Sequence, residues 1–281
     1  MKFIIIILYI IYIYMIHIDN KKTTIDTSDS ITPKLIFIVP YRDREQQLIF
    51  FKRHIEYILE DYEKEEYDIL YIHQTDKRSF NCGAMKNIGF LIVKNKYPND
   101  YKNITLVFND VDTMPFSKNF LQYETEIGTV KHFYGFTYTL GGIVSITGYD
   151  FERINGFPNF WAWGYEDNLL LERVTQAKIN IDRSTFFPFA DKNILHFYDG
   201  YVKQVNKNEF QRYNNRTREG IHSIFKLVYH KNNNTGLMDI TSFETGTDEH
   251  KQSTRMHDLR NSTTPFTGAR SNRRSTMSLL L

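Results

Sequence analysis

The sequence has little of what small cross-linked or repetitive proteins depend on. Cys82 is its single cysteine among 281 residues, which excludes an internal disulfide framework. Glycine and proline are modest at 14 and 7 residues, and no internal repeat is evident. The formal net charge of +2 favours neither an anionic nor a cationic partner. A hydrophobic content of 41% is ample for a globular core, and a domain of this size needs no cross-links.

The N-terminus carries an apolar and aromatic run over residues 3–18, bounded by Lys2 and by Lys21 and Lys22. The run is slightly shorter than the roughly 17–25 residues of a membrane-spanning helix. No small-residue cleavage site follows it, so the sequence favours an uncleaved signal anchor over residues 1–18. A cleaved signal peptide and a buried helix or strand are the alternatives. The polar residues 19–33 then suit a short stem or linker.

From Lys34 the sequence alternates strand and helix patterns. Apolar runs at 35–40, 67–72 and 104–110 predict buried strands. Helical periodicity follows Asp43, which forms a capping-box-like start with Gln46, and recurs over 83–94. This order predicts an α/β fold with a mostly parallel central sheet flanked by helices. Ligands of such sheets bind at the carboxyl ends of the strands.

The remaining chain divides at about residue 237. We assign residues 34–236 to one catalytic domain, because the strand and helix patterns continue to that point. Residues 237–281 are rich in polar and basic side chains and poor in large apolar ones, which predicts a disordered tail. A contact of this tail with nucleic acid or an anionic membrane is the alternative, and a solvated tail is favoured. No nucleic-acid partner is expected.

Two aspartates follow the third predicted strand. Asp110 and Asp112 are spaced i, i+2, so in strand geometry their side chains project to the same side. Carboxylates placed there can hold Mg²⁺ or Mn²⁺ and, through the ion, a diphosphate. The alternative is a turn in which the aspartates bond to backbone amides.

A loop at 155–168 combines aromatic and acidic residues. It contains both tryptophans of the chain, Trp161 and Trp163, followed by Glu166 and Asp167 at the start of a predicted helix. Indole rings stack on sugars, and a carboxylate can accept a proton from a sugar hydroxyl. Acids that compensate the helix dipole are the simpler alternative. The combination favours a carbohydrate site.

Taken in order, these segments resemble the β-1,4-galactosyltransferase family. The similar segments are FIVPYRDRE (37–45), FNCGAMKNIGF (80–90), FNDVDTMP (108–115), GGIVSI (141–146), INGFPNFWAWGYEDN (154–168), LHFYD (195–199) and EFQRYNN with GIHSI (209–224). The resemblance implies the nucleotide-sugar-binding GT-A fold, an inverting mechanism and Mn²⁺ dependence.

The resemblance also implies roles for individual residues. Those at donor-nucleotide positions are Pro40, Tyr41, Arg42, Arg44, Asp110 and Trp163. Those at metal-ligand positions are Asp112 and His196. Asp167 matches the catalytic base, with Glu166 beside it. Those at acceptor positions are Asn168, Arg212 and Tyr213.

Four positions depart from the pattern of the family. Cys82 stands where many members carry arginine, which removes a phosphate contact. Asn168 replaces an aspartate, which leaves the acceptor open. Thr139 stands where galactosyl transfer is associated with tyrosine, so a smaller side chain could admit an N-acetyl group. Asn193 lies where some members have a methionine ligand, and it is a weak second ligand for the metal.

The sequence thus predicts a hexosyltransferase that moves galactose from UDP-galactose to a sugar hydroxyl of a glycan or glycoconjugate acceptor. A transferase using UDP-N-acetylgalactosamine and a catalytically inactive carbohydrate-binding homologue are the alternatives. The anchor and the resemblance together predict a single-pass type II membrane protein, with its catalytic domain in the lumen of the Golgi or endoplasmic reticulum. An enzyme on the cytosolic face is the alternative, because the chain cannot form an internal disulfide.

Overall fold

The computed structural model describes residues 32–262 and 264–266. The predicted anchor at 1–18, most of the predicted stem and the end of the predicted tail lie outside these residues. Among the helices of the described residues, none is both long enough and apolar enough to cross a membrane.

The chain alternates strands and helices in its first half and is richer in short strands in its second. The strands are β1 (Leu35–Tyr41), β2 (Tyr67–Gln74), β3 (Thr105–Asn109), β4 (Thr113–Pro115), β5 (Thr129–Gly135), β6 (Ile143–Thr147), β7 (Asn180–Asp182), β8 (Phe187–Pro188), β9 (Ile194–His196), β10 (Val202–Asn206), β11 (Phe225–Lys231), β12 (Met238–Glu244) and β13 (Thr254–Asp258). The helices are α1 (Glu45–Ile58), α2 (Cys82–Lys96), α3 (Gly148–Arg153), α4 (Glu166–Gln176) and α5 (Lys207–Asn214).

One large sheet organises the domain, in the strand order β11-β12-β2-β1-β3-β6-β5-β7, with β8 also paired to β5. β1 pairs in parallel with both β2 and β3, and β12 adds in parallel to the other side of β2. β6 runs antiparallel between β3 and β5. The sheet is therefore mixed but mostly parallel, in agreement with the α/β fold that the sequence predicts.

Strand β1 divides the core into two layers because its side chains alternate between the faces of the sheet. Leu35, Phe37 and Val39 pack with α1, whereas Ile36 and Ile38 pack with α2. These five side chains are fully buried, which contributes about 1.5–3 kcal/mol for each. Helix α2 lies so close to the sheet that a Cβ on Gly89 would come within 2.4 Å of Ile38 Cγ2. The helices thus cover both faces of the sheet.

The start of α1 differs from the prediction. No capping box forms, because Asp43 has a left-handed backbone with φ of 52° and its exposed carboxylate pairs with Arg42. Arg44 takes the N-cap position without a side-chain cap. The side chain of Arg44 is instead directed to other carboxylates, as described below.

The predicted disordered tail from residue 237 is wrong for the part that the structure describes. β12 pairs in parallel with β2, with Met238 opposite Ile72, and Ile240 and Phe243 are buried. β13 pairs with β10. The edge of β2 supplies backbone hydrogen bonds to β12, and these bonds order a strand that is mostly polar. Few apolar residues are therefore enough to keep β12 folded. The folded domain therefore continues past the predicted boundary at 236.

Candidate active site

The two aspartates after β3 lie in a turn. Asn109 holds the turn, because its Nδ2 donates to the carbonyl oxygens of Asp110 and Thr113, both at 2.8 Å. The prediction that strand geometry places both carboxylates on one side is therefore wrong, since neither residue is in a strand. Asp110 Oδ1 lies 3.3 Å from Lys86 Nζ, whereas Asp112 Oδ2 lies 2.9 Å from Arg44 Nη1. Each carboxylate has its own cation.

The predicted metal ligands Asp112 and His196 come together across an antiparallel pair. β4 follows Asp112 directly and pairs with β9, with Thr113 opposite His196. The Phe197 amide donates to the Asp112 carbonyl oxygen at 2.8 Å. The Tyr134 hydroxyl lies 3.0 Å from His196 Nδ1, the kind of contact that orients the ring of a metal-binding histidine.

Burial shapes the protonation of this pair. It raises the pKa of Asp112 to about 7, and the neighbouring Asp110 adds to the effect, whereas Arg44 opposes it. Burial also lowers the pKa of His196, although Asp110 and Asp199 oppose it. A neutral imidazole and a carboxylate in need of positive charge suit a divalent cation.

The residues that the structure describes do not complete a coordination shell by themselves. Within residues 32–262 and 264–266, no group of three or more His, Cys, Asp or Glu side chains is arranged to hold a metal ion. The weak candidate Asn193 directs its Nδ2 to Asp191 Oδ1 at 3.0 Å. Asp112 and His196 therefore fit an ion such as Mn²⁺ that takes other ligands from substrate phosphates and water.

The acidic pair begins α4. The N-cap residue Tyr165 has φ of 74° and gives no side-chain cap, so Glu166 and Asp167 stand at an uncapped helix end. The Leu140 amide donates to the Asp167 carbonyl oxygen at 3.0 Å. A Cβ on Gly141 would lie 2.2 Å from Asp167 Oδ2, so only glycine leaves room for this carboxylate. The loop that carries Thr139 is thereby tied to Asp167.

Lys86 joins the two acidic segments. Its side chain is 3% exposed, and its Nζ lies 3.5 Å from Asp167 Oδ1 as well as beside Asp110. Burial raises the pKa of Asp167 to about 6, while Lys86 opposes the rise. Burial and the charge of Asp167 raise the pKa of Glu166 to about 7. Carboxylates with pKa values near neutrality suit general base catalysis.

Lys86 was missed by the sequence analysis. It lies within an unbroken run of buried residues from Gly83 to Phe90 in α2. A lysine in such a run must meet an acid, because a buried charge is costly unless it is paired. A lysine among apolar and small residues in a predicted helix was the signal in the sequence that could have identified Lys86.

The two tryptophans have different environments. Trp161 is fully buried, stacks with Phe243 and donates from Nε1 to the Thr247 carbonyl oxygen at 2.9 Å. It is a core residue, which corrects the interpretation of both rings as sugar-binding. Trp163 is 41% exposed, and left-handed residues flank it: Ala162, Gly164 and Tyr165. Such backbone strain persists chiefly at functional sites, so Trp163 is the ring that is available to a ligand.

The predicted donor residues at the end of β1 divide into two groups. Pro40 and Tyr41 are buried, and the Tyr41 ring packs against His73. Arg42 donates from Nη1 to the Arg78 carbonyl oxygen at 2.6 Å. Arg44 bridges Asp112 and Asp199.

A basic cleft of about 570 Å³ opens beside Arg42. One acid, Glu249, lines it beside five basic side chains, those of Arg42, Lys77, Arg78, Lys251 and Arg255. Gln204 also lines the cleft, and its carbonyl oxygen accepts the Trp163 amide at 2.8 Å. The cleft therefore lies between the end of β1 and the Trp163 loop, and its charge suits a phosphate-bearing ligand.

The predicted acceptor residues lie in the first turn of α4, which carries Asn168, and on α5, which carries Arg212 and Tyr213. Arg212 is held by Glu209 at 2.5 Å and Glu219 at 2.7 Å, so its guanidinium is already paired. The Tyr213 ring stacks on Tyr165 with centroids 5.0 Å apart. Asn168 donates from Nδ2 to the Tyr138 carbonyl oxygen at 3.2 Å, which places it against the Thr139 loop.

The combined features are typical of a nucleotide-sugar-dependent glycosyltransferase: a mixed, mostly parallel sheet, two aspartates in the turn after β3, a basic cleft and an acidic helix start. Two family models match consecutive parts of the chain. The model described as the N-terminal region of glycosyl transferase group 7 matches residues 16–124, and the model described as the N-terminal domain of galactosyltransferase matches residues 122–199. The chain belongs to the β-1,4-galactosyltransferase family.

Curated relatives agree with this assignment. Xylosylprotein 4-beta-galactosyltransferase of Caenorhabditis elegans is 29% identical over 212 residues, which cover 69% of this chain and 71% of the nematode protein. Beta-1,4-galactosyltransferase 5 of Mus musculus is 28% identical over 208 residues, which cover 71% of this chain. The chain spans about half of the mouse relative, at 52% of its length.

Solved structures confirm the GT-A fold. The catalytic domain of Drosophila beta1,4-galactosyltransferase 7 in complex with xylobiose has a TM-score of 0.60 at 22% identity. A variant of that enzyme in complex with manganese, UDP-Gal and xylobiose has a TM-score of 0.62 at 20% identity. Each match covers 78% of this chain and 97% of the Drosophila chain.

Proposed function

We propose that the protein transfers galactose from UDP-galactose to a hydroxyl group of a glycan acceptor, with inversion at the anomeric carbon. The observation that carries this proposal is the position of Asp167, which stands at the start of α4 with a pKa raised to about 6 and contacts Lys86. The names of the curated relatives and the UDP-Gal in the Drosophila complex support galactose as the sugar.

In this reaction the acceptor oxygen attacks the anomeric carbon from the face opposite the nucleotide. The new glycosidic bond forms as the bond to the diphosphate breaks, and the hydroxyl proton passes to Asp167. Asp112 and His196 would hold Mn²⁺, which when bound supplies charge stabilisation for the departing diphosphate. The basic cleft beside Arg42 binds the anionic donor, and Trp163 covers the site and limits access of water.

A second donor, UDP-N-acetylgalactosamine, is favoured by one observation. Thr139 is a small side chain in a loop that the Leu140 amide ties to Asp167. An N-acetyl group has more room beside threonine than beside tyrosine. An inactive sugar-binding homologue is disfavoured, because the chain retains Asp112, Asp167 and His196.

The apolar segment over residues 3–18 supports a further part of the proposal. We propose that it anchors the protein as a single-pass type II membrane protein of the Golgi or endoplasmic reticulum. Membrane fractionation of the full chain and of a chain starting at Thr32 tests this: the full chain should sediment with membranes and resist carbonate extraction. Equal release of both proteins would contradict the anchor.

The activity is tested with the fragment that starts at Thr32. UDP release is measured with Mn²⁺, separate UDP-sugars, and a panel of acceptors that includes N-acetylglucosamine and xylosides, with and without a chelator. We expect acceptor-stimulated, chelator-sensitive release from UDP-galactose. Faster release from UDP-N-acetylgalactosamine would select the second donor, and no release from any donor by the folded protein would refute the transferase.

A further inference from the structure

Lys86 is a buried cation at the meeting point of three segments. It projects from α2 between the turn after β3, which carries Asp110, and the start of α4, which carries Asp167. Its ammonium also lies 4.7 Å from the centre of the Phe157 ring, so one side of the charge faces an aromatic surface. With 3% exposure, the side chain has little access to water as an alternative partner.

The charges around Lys86 do not balance. Three carboxyl groups, on Asp110, Glu166 and Asp167, act on this one ammonium. Only Asp167 receives a hydrogen bond from Lys86, at 3.5 Å. Glu166 Oε2 is buried, and it has no hydrogen-bond partner among the residues that the structure describes. A proton that the three carboxyl groups share is therefore best accommodated on Glu166. Asp167 is then the ionised member of the pair Glu166 and Asp167.

We propose that Lys86 is a positioning residue for the transfer reaction, which keeps Asp167 ionised and holds its carboxylate next to Asp110. This inference rests on the proposed function, because it assigns Asp167 rather than Glu166 as the proton acceptor. The charge of Lys86 also bears on Cys82, which begins the same helix one turn earlier. Positions i and i+4 share a helix face. Many members of the family carry an arginine at the position of Cys82, and Lys86 supplies a positive charge on the same face of α2.

The pKa values agree with this division of roles. The charged groups that face Asp167 are Lys86 and Asp110, with Glu166 adjacent on its own helix. Burial raises both pKa values, but Lys86 and its hydrogen bond hold Asp167 at about 6, below Glu166 at about 7. Loss of the ammonium should move the pKa of Asp167 upward and reduce its ionised fraction at neutral pH.

The first test compares Lys86→Met with Lys94→Met, a matched change on the same helix at a half-exposed pair with Glu152. We expect the acid limb of the kcat profile of K86M to move up by about one pH unit, which reduces kcat at pH 6.5 about threefold and at pH 5 about 10-fold. KM for the donor should change little, and K94M should match the parent. A K86M profile with an unmoved acid limb would overturn the proposal.

A second variant tests the assignment of the limb and does not depend on whether K86M folds. Glu166→Gln imitates the protonated form of Glu166, so it should leave the acid limb of the profile within about 0.3 pH unit of the parent. A loss or a large shift of the limb in E166Q would assign the limb to Glu166 and contradict the proposal. Carboxyl ¹³C NMR titration of aspartate-labelled protein, assigned with Asp167→Asn, gives the pKa of Asp167 without turnover. An Asp167 pKa clearly above 6 in the parent protein, or one that is unchanged in K86M, refutes the role of Lys86 even if no donor is found. Loss of the proposed function itself appears instead as an inactive parent protein.

Discussion

Asp112 and Asp167 lie at the same edge of the sheet, but their charges are neutralised in different ways. Asp112 pairs with Arg44, which is 26% exposed and also bridges Asp199. Asp167 pairs with Lys86, which is 3% exposed. A partly exposed arginine with two partners can release one of them to an incoming cation, whereas a fully buried lysine cannot readily leave its carboxylate. The first region is therefore suited to exchange of ligands, and the second to a fixed protonation state.

The largest expected effect comes from a change at Asp167, in the region that Lys86 keeps in a fixed protonation state. Asp167→Asn removes the proton acceptor but keeps the size of the side chain, so kcat should fall by about 10²–10⁴-fold. Binding of UDP in the presence of Mn²⁺ should stay within about twofold of the parent, because Asp167 pairs with Lys86 and not with the predicted metal ligand Asp112. Asp68→Asn, at a surface pair with Lys96, is the matched control and should leave kcat unchanged. A fully active D167N would assign the base elsewhere.

A change at Asp112 should instead make the activity depend more strongly on the metal concentration. Asp112→Asn weakens a ligand, so activity should fall by about 10–100-fold at a fixed low Mn²⁺ concentration and recover in part as Mn²⁺ rises. Mn²⁺ should raise the Tm of the parent in the presence of UDP, because it binds only the folded state, and this rise should be lost in the variant. The control D68N should keep it. An equal Mn²⁺-dependent rise in D112N would show that the ion binds at another place.

The two regions also differ in how much of them could be predicted from sequence. Asp112 follows a predicted strand and Asp167 begins a predicted helix. Ligands of such sheets bind at the ends of the strands, so residues at these boundaries can be selected from the sequence. Lys86 lies inside a helix and acquires its role only through contacts with Asp110 and Asp167, which are distant in the chain. The burial of Trp161 likewise depends on Phe243, which lies in β12.

The fold shows the same limit. β1, β2 and β3 were predicted because their apolar runs carry the signal within themselves. β12 was missed because its order comes from pairing with β2, not from its own composition. Local periodicity thus predicts the elements that build the core, while elements that complete an existing edge depend on tertiary contacts.

The smallest expected effect is on the free energy of unfolding, and it tests whether Glu166 is protonated in the folded protein. Burial raises the pKa of Glu166 from 4.5 to about 7, so folding favours its protonated form. Stability from this group is full below pH 4.5 and is lost as pH rises through 7. Glu166→Gln should therefore increase the free energy of unfolding at pH 8 by about 1–2 kcal/mol, after allowance for coupling to Asp167 and Lys86.

The dependence of that gain on pH is the sharper test. The difference in stability between E166Q and the parent, followed by urea unfolding from pH 4 to pH 8, should vanish near pH 4.5 and grow up to about pH 7. Glu172→Gln, the same change on α4 at a pair with the exposed Arg216, should give no such trend. A gain that is constant across this range would mean that Glu166 stays ionised in the folded protein. In that case Glu166 would not hold the retained proton, and the assignment of Asp167 as the ionised member of the pair would lose its support.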